Sequence, residues 1–235
     1  KFSQHDEPVL QSYHAESDPD AHNFFPSGSV GIPPVVSVYT ALAYRYARDH
    51  RLAVPAGTHF WSLIGDSEFR EGSLMEALPD VAERELGDVT WIIDYNRQNL
   101  DGTRIPNNRS LKGCDCDRIE RTAAANGWEV IQVRHGHKRE EAFAGRGGAV
   151  FRETLEQKLS DFELQMLLLK RDGAATRAAL LRHQPALRKA LEDYDDALLQ
   201  ELLADLGGHD LPALVSALVA SKADPDRPTM LIVHT

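Results

Sequence analysis

Apolar residues fall along this chain in two alternating rhythms. Val35, Val38, Tyr39, Leu42 and Tyr46 recur at helical spacing, behind Pro33-Pro34 at a helix start, so residues 35–50 read as a helix. Residues 59–64 (HFWSLI) are a short unbroken apolar run, a buried strand with Gly65 at its carboxyl end. Residues 73–86 return to the helical period, with Leu74, Ala77, Leu78, Val81 and Ala82 on one side and Pro79 as a local exception. Residues 89–94 (VTWIID) are the clearest strand, and 96–113 are a long polar loop. A helix over 117–126 is closed by Gly127, and strands follow over 128–133 (WEVIQV) and 229–233 (TMLIV). Residues 151–206 are rich in Leu, Ala, Glu, Arg and Lys and read as a helical insertion broken near Gly173 and Pro185, its charges on a solvated face. Residues 1–25 have no period and read as an irregular arm.

Unbroken apolar strands alternating with helices predict an α/β fold, a doubly wound, mostly parallel sheet with helices on both faces. The length of 235 residues suits one large domain, and 42% apolar residues supply a core. No apolar run approaches the roughly 18 residues of a membrane span, so no membrane association is expected. With 26 Lys and Arg against 36 Asp and Glu, the formal charge is −10, which disfavours nucleic-acid binding. So acidic a chain holds an anion only with a local device: a helix N-terminus, a backbone nest or a bound cation. The two cysteines, Cys114 and Cys116, make no disulfide scaffold. Without a signal-like segment a cytoplasmic location is expected. The chain opens at Lys1 without Met and stops just after an apolar run, so it is expected to be part of a longer protein.

In an open parallel sheet, ligands bind beyond the carboxyl ends of the strands. Two such ends carry unusual polar residues, Gly65-Asp66-Ser67-Glu68 and Asp94-Tyr95-Asn96-Arg97-Gln98. Asp66 offers a carboxylate, Asn96 and Gln98 offer side-chain carbonyls, and Tyr95 or Arg97 can add a backbone carbonyl. These are hard oxygen donors suited to Mg²⁺. Asn96 and Gln98 stand two apart and share a side in an extended segment. A helix starting near Ser73 offers backbone N–H groups to a phosphate. The alternative is that Asp66 caps a βα turn and Asn96 makes an Asx turn.

Gly65-Asp66-Ser67, followed thirty positions after Asp66 by Asn96, resembles the Gly-Asp-Gly…Asn motif of thiamine diphosphate enzymes. The wider pattern is similar to the homodimeric bacterial type of pyruvate dehydrogenase E1 component, within the transketolase-like superfamily. That family's GDGE, N-x-N-x-Q and Leu-Asp-Gly are matched by GDSE at 65–68, DYNRQ at 94–98 and Leu100-Asp101-Gly102. Residues 25–31 (FPSGSVG) resemble its FPT-x-S-M-G, 126–131 (NGWEVI) its A-G-W-N-V-I, and Gly207-Gly208-His209-Asp210 and 228–235 have counterparts too. The resemblance implies that Asp66, Asn96 and Gln98 ligate Mg²⁺, Gln98 through its side chain or backbone. It places Ser67, Glu68 and Asp94 at the cofactor's diphosphate and Val30 at its aminopyrimidine. It further implies a homodimer, a 2-oxo acid substrate (pyruvate first) and acyl transfer to a lipoyl-bearing dihydrolipoamide acyltransferase (E2) partner. Residues 1–235 would then be the diphosphate-binding domain.

Four departures temper the resemblance. Ser67 replaces the last Gly of the motif, which raises the question of a positive φ or of close backbone approach to phosphate. Asp94 replaces Asn and sets a second carboxylate where phosphate is expected. Ile32-Pro33 replaces Leu-Gly. The family's upstream Gly-His segment, the Lys of its T-I-K-G and its pyrimidine-binding domain, with the activating Glu, are absent. No residue is assigned as catalytic, and the chain by itself is not expected to turn over. Two other readings stand: transketolase-type two-carbon transfer, suggested by Glu68-Phe69-Arg70-Glu71-Gly72, and a non-catalytic E1-like scaffolding relative. Asp210 reads as a helix N-cap rather than His209 as a catalyst. Cys114 and Cys116 read as loop thiols, and His135 and His137 as exposed turn residues.

Overall fold

The computed structural model describes residues 29–99, the backbone of 102–103, and residues 114–235. The arm at 1–25, residues 25–28 of the first resembling segment, Leu100-Asp101 and most of the polar loop lie outside the described residues.

Gly31, at φ 84, turns the chain into α1 (Ile32–Asp49), and the two prolines occupy its first turn, where a missing N–H costs nothing. β1 (Phe60–Gly65) leads through a 3₁₀ turn (Glu68–Arg70) into α2 (Gly72–Glu83), and β2 (Val89–Tyr95) follows. After β2 the backbone makes a minimal antiparallel pair, β3 (Gln98–Asn99) with β4 (Gly102–Thr103). α3 (Asp115–Ala125) leads to β5 (Glu129–Val133). The chain then enters a helical layer of α4 (His137–Ala144), α5 (Gly148–Glu153), α6 (Asp161–Lys170), α7 (Gly173–His183) and α8 (Asp196–Ala204). α9 (Leu211–Ala220) and β6 (Thr229–His234) close it.

The four long strands are parallel in the order β1-β2-β6-β5. Gly65 pairs with Asp94, and Asp94 with Val233, so the carboxyl ends of β1, β2 and β6 lie level along one edge. One face of the sheet packs Ile64, Trp91, Ile93, Met230 and Ile232 against Val38, Leu74, Leu78, Ile119 and Ala123 of α1, α2 and α3. The other face packs Leu231, Val233, Ile92 and Ile131 beneath Ala213, Leu214, Ala217 and Leu218 of α9. Helices thus lie on both faces, as the unbroken apolar strands require. On the α9 side the cover stops short of β1, where Trp61 and Leu63 remain 39% and 72% exposed.

The helical layer has its own core of Phe151, Leu164, Leu167, Leu180, Leu187, Leu199 and Leu203. Helices begin at His137, earlier than the composition signal at 151, because the segment from 137 to 150 is too charged on its outer side to stand out. A π-helical turn (Thr154–Lys158) follows α5, and the break after α6 is at Arg171, at φ 50, with Asp172 capping α7. Buried Arg139 ties α4 to the end of α8 within this layer. It donates to the Leu202 and Leu203 carbonyls of the last turn of α8 and meets His135 Nδ1 at 3.0 Å. The Leu202 carbonyl also accepts the Asp205 N–H at 3.3 Å, and a cation is favourable at the carboxyl end of a helix. Among the described residues no helix is long and apolar enough to cross a membrane.

Candidate functional site

β1 ends where its neighbour β2 continues, and the chemistry gathers at that step. The Asp66 N–H donates to Asp94 O (3.2 Å), extending the ladder by one residue. This turns the Asp66 side chain inward, where it is 1% exposed. Its Oδ2 accepts the Arg97 N–H at 3.0 Å, so the buried carboxylate reaches across to the loop after β2. In that loop Asn96 Oδ1 accepts the Gln98 N–H (2.8 Å), which is an Asx turn and sets Arg97 at φ 62. The Asn96 amide donates to Asp94 Oδ2 (3.0 Å). Ser67 Oγ donates to the Gln98 carbonyl at 3.0 Å.

The structure therefore brings Asp66, Ser67, Asp94, Asn96 and Gln98 into one hydrogen-bonded cluster. The Asx turn at Asn96 and its oxygen chemistry are both present. A carbonyl oxygen has two lone pairs, so the turn still leaves Asn96 Oδ1 a second acceptor site. The Gln98 side chain is exposed, whereas its carbonyl lies against Ser67, which favours the backbone oxygen as the donor from this residue.

Glu68 and Val30 sit differently. Glu68 is turned back on the chain: Oε1 accepts the Gly31 N–H (2.8 Å) and Oε2 the Gly65 N–H (3.0 Å). Its carboxylate clasps the start of α1 to the end of β1, and both oxygens serve the protein. Val30, next to that clasp, is 52% exposed. The helix expected to offer its N-terminus to phosphate does not follow β1 directly. The 3₁₀ turn intervenes, and the first turn of α2 packs on the α1 loop, with Ser73 Oγ donating to Gly31 O (3.2 Å).

The donor set fits a hard cation. Asp66 supplies a carboxylate, Asn96 an amide oxygen and Gln98 a backbone carbonyl, all oxygen and all at adjoining strand ends. Ser67 has φ −76 and ψ −36, an ordinary right-handed conformation, so replacing Gly here strains nothing. The Asp94 carboxylate is held by donors from two sides. Thr235 Oγ1 donates to Oδ1 (2.5 Å) and Asn96 Nδ2 to Oδ2. Its negative charge is thus answered within the protein, by a hydroxyl and an amide.

Arg97 is the residue that reading the sequence undervalued. It is 3% exposed. Its Nε donates to Asp161 Oδ1 (3.0 Å), its Nη1 to Tyr95 O and Thr235 O (both 3.1 Å), and its Nη2 meets His234 Nδ1 (2.9 Å). Tyr95 Oη donates to Asp161 Oδ2 (2.6 Å), and Gln165 Nε2 donates to the carbonyls of Asn96 and Arg97. Burial, and then the Arg97 charge, hold His234 well below the usual imidazole range, so it is neutral. Asp161 corrects the expectation of a uniformly solvated charged face over 151–206. The only signal for it was its spacing of four from Gln165 at the head of a Leu-rich helix.

Other polar groups resolve as structure. Asp210 caps α9 through Ala213 N–H (3.1 Å), as expected, and also accepts from His137. His135 is not an exposed turn residue: its side chain is buried against Glu156 (2.9 Å), because the helical layer closes over it. Cys114 and Cys116 are not in a loop. Cys114 is the N-cap of α3 and Cys116, in its first turn, is fully buried. With Asp117 their ligand atoms lie within 4.8 Å of one another, but Asp117 is already taken by Arg134 and by Cys114 N–H.

The comparisons with known proteins agree with the family resemblance. No family model matches the chain. It is 26% identical over 211 residues to the "Pyruvate dehydrogenase E1 component" of Corynebacterium glutamicum, covering 90% of this chain and 22% of that protein. For the proteins of that name from Cupriavidus necator and Escherichia coli the identities are 27% and 23%, again over 90% of this chain, and 22% and 23% of theirs. All three of these similar proteins bear the name pyruvate dehydrogenase E1 component. The chain spans less than a quarter of their length. Among solved structures it is similar to a transketolase from Pichia stipitis, with TM-score 0.46 and 14% identity, covering 89% of this chain and 20% of that one. A transketolase from Leishmania mexicana gives TM-score 0.43 and 17% identity, with the same coverage.

Proposed function

We propose that this chain carries the diphosphate- and Mg²⁺-binding half of a thiamine diphosphate-dependent site that decarboxylates a 2-oxo acid. Pyruvate is the expected substrate, with the acyl unit passing to a lipoyl-bearing dihydrolipoamide acyltransferase (E2). In this reading residues 1–235 are one diphosphate-binding domain, and the complete site needs a pyrimidine-binding domain at a homodimer interface. The assembly is cytoplasmic. The observation that carries the reading is the buried Asp66 carboxylate bonded to the loop that holds Asn96 and Gln98. The relatives named pyruvate dehydrogenase E1 component support it.

The cofactor, when bound, supplies the electron sink that decarboxylation requires. The chain's own residues bind and orient. Asp66, Asn96 and the Gln98 carbonyl would hold the cation, whose charge would offset a diphosphate that an acidic chain cannot answer alone. The Ser67 hydroxyl, which donates to Gln98 O, would have to share or release it when a metal binds. Thr235 and Asn96 hold the Asp94 carboxylate within its own hydrogen bonds, which limits its repulsion of the anion. Glu68 fixes the loop that carries Val30.

Calorimetric titration of full-length protein with thiamine diphosphate, with and without Mg²⁺, tests this. Metal-dependent binding that Asp66→Ala abolishes is expected. Binding that ignores the metal, or survives Asp66→Ala, overturns it. The hydroxyl on the Gln98 carbonyl and the carboxylate of Asp94 favour one alternative, a non-catalytic relative that keeps the fold as a scaffold. Full-length protein that binds no thiamine diphosphate yet assembles stably with a partner decides for it.

A further inference from the structure

Arg97 lies between the two loop residues that offer oxygen to the metal, and every part of it is anchored. Its N–H is held by Asp66 and its carbonyl by Gln165. Its guanidinium is held by Asp161, by the Tyr95 and Thr235 carbonyls and by His234, and stands 4.8 Å over the Tyr95 ring. Its backbone is left-handed, at φ 62, a conformation unfavourable to a residue with a Cβ. A Gly or Asn would adopt it more easily. Both charges of the Arg97–Asp161 pair are 4–5% exposed, and burying such a pair gains little stability over apolar replacements. The arrangement is therefore costly if its purpose is only cohesion. What it does secure is direction. Asp161 and Gln165, one turn apart on α6, grip the side chain and backbone of the same residue.

We propose that Arg97 is the positioning residue of the metal loop: clasped by Asp161 and Gln165, it fixes the Asn96 and Gln98 oxygens relative to Asp66, so that the helical layer sets the cation affinity of the site. This rests on the function proposed above. Changes around first ligands typically alter metal affinity by about 10–100-fold. The helical layer is thereby a part of the site, though it contributes no ligand.

The test uses full-length protein, with Mg²⁺ titrated at saturating thiamine diphosphate and followed by tryptophan fluorescence, beside the melting temperature without ligands. The variants are Arg97→Lys, Gln165→Leu and the double replacement Arg97→Met with Asp161→Leu. The double variant removes both charges and is expected to stay folded. Its Mg²⁺ half-saturation is expected to rise at least about tenfold, and excess Mg²⁺ is expected to restore thiamine diphosphate binding. Gln165→Leu and Arg97→Lys shift in the same direction by less. A purely cohesive pair would lower the melting temperature and leave the Mg²⁺ dependence alone. Half-saturation within twofold of wild type in the folded variants, with wild type binding normally, overturns this inference only. Wild-type protein that shows no metal-dependent binding overturns the proposed function and this inference together.

Discussion

Replacing Glu68 by Ala separates a clasp from a cofactor contact, because the clasp has a stability signature without any ligand. The carboxylate accepts the N–H groups of Gly31 and Gly65 at 2.8 and 3.0 Å. Gly31 is buried and Gly65 half-buried, so water replaces the lost acceptor readily at Gly65 only. An orphaned buried donor costs about 1–3 kcal/mol, and removing a charge from the N-terminus of α1 adds about 0.3–1 kcal/mol. The combined loss is therefore about 1.3–4 kcal/mol. At roughly 2–4 °C per kcal/mol for a chain of this size, the melting temperature falls by about 3–16 °C. Glu68→Gln keeps one acceptor and loses about half as much. Circular-dichroism melts without cofactor, and hydrogen exchange at the Gly31 and Gly65 amides, measure this. The order wild type, Gln, Ala is expected, with both amides exchanging faster in the Ala variant. A drop below about 2 °C for Glu68→Ala, or unchanged exchange at Gly31, refutes the clasp.

Ser67→Gly removes the hydroxyl from the Gln98 carbonyl, so Mg²⁺ half-saturation in the presence of thiamine diphosphate is expected to fall. Stability drops by only about 0.5–1 kcal/mol; a weaker metal affinity would contradict the assignment of that carbonyl. Leu180, fully buried in the helical core, is expected to cost about 2–5 kcal/mol on replacement by Ala, read by urea denaturation. His59 is held down to about 4, first by burial and then by Lys222. Its folded form stays neutral while the unfolded form takes up a proton near 6.5, so its contribution is complete above pH 6.5 and is lost as pH falls toward 4. His234, lowered in the same direction, adds to that loss. Melts from pH 7 to 4 are expected to be shallower for His59→Gln than for wild type, and equal slopes would exclude the role of His59.

Much of the frame was legible along the chain because its signals are local. The runs at 59–64, 89–94, 128–133 and 229–233 all became strands, within a residue or so at each end, because an unbroken apolar run has only one place to go in a sheet covered on both sides. Asp66, Asn96 and Gln98 could be named together because they follow strand ends, and parallel register brings such ends level. The start of the helical layer at His137 was missed, since α4 is too charged for periodicity to reveal it. Cys116 reads along the chain as a loop thiol and His135 as an exposed turn residue, and both are buried, because burial is a property of what packs over a residue.

The sequence by itself determined the α/β order of elements, the two strand ends that carry oxygen donors, and the need for a local answer to anionic charge. Only the tertiary structure decided how those donors are spent. It turned Glu68 onto two backbone amides, set Ser67 against Gln98, and gave Asp94 its hydroxyl and amide partners from Thr235 and Asn96. It also brought Asp161, 64 positions along the chain, onto Arg97. Spacing along the chain specifies which residues share a face of one element. Partners on separate elements are chosen by packing, which leaves each buried donor and acceptor a single place to find its mate.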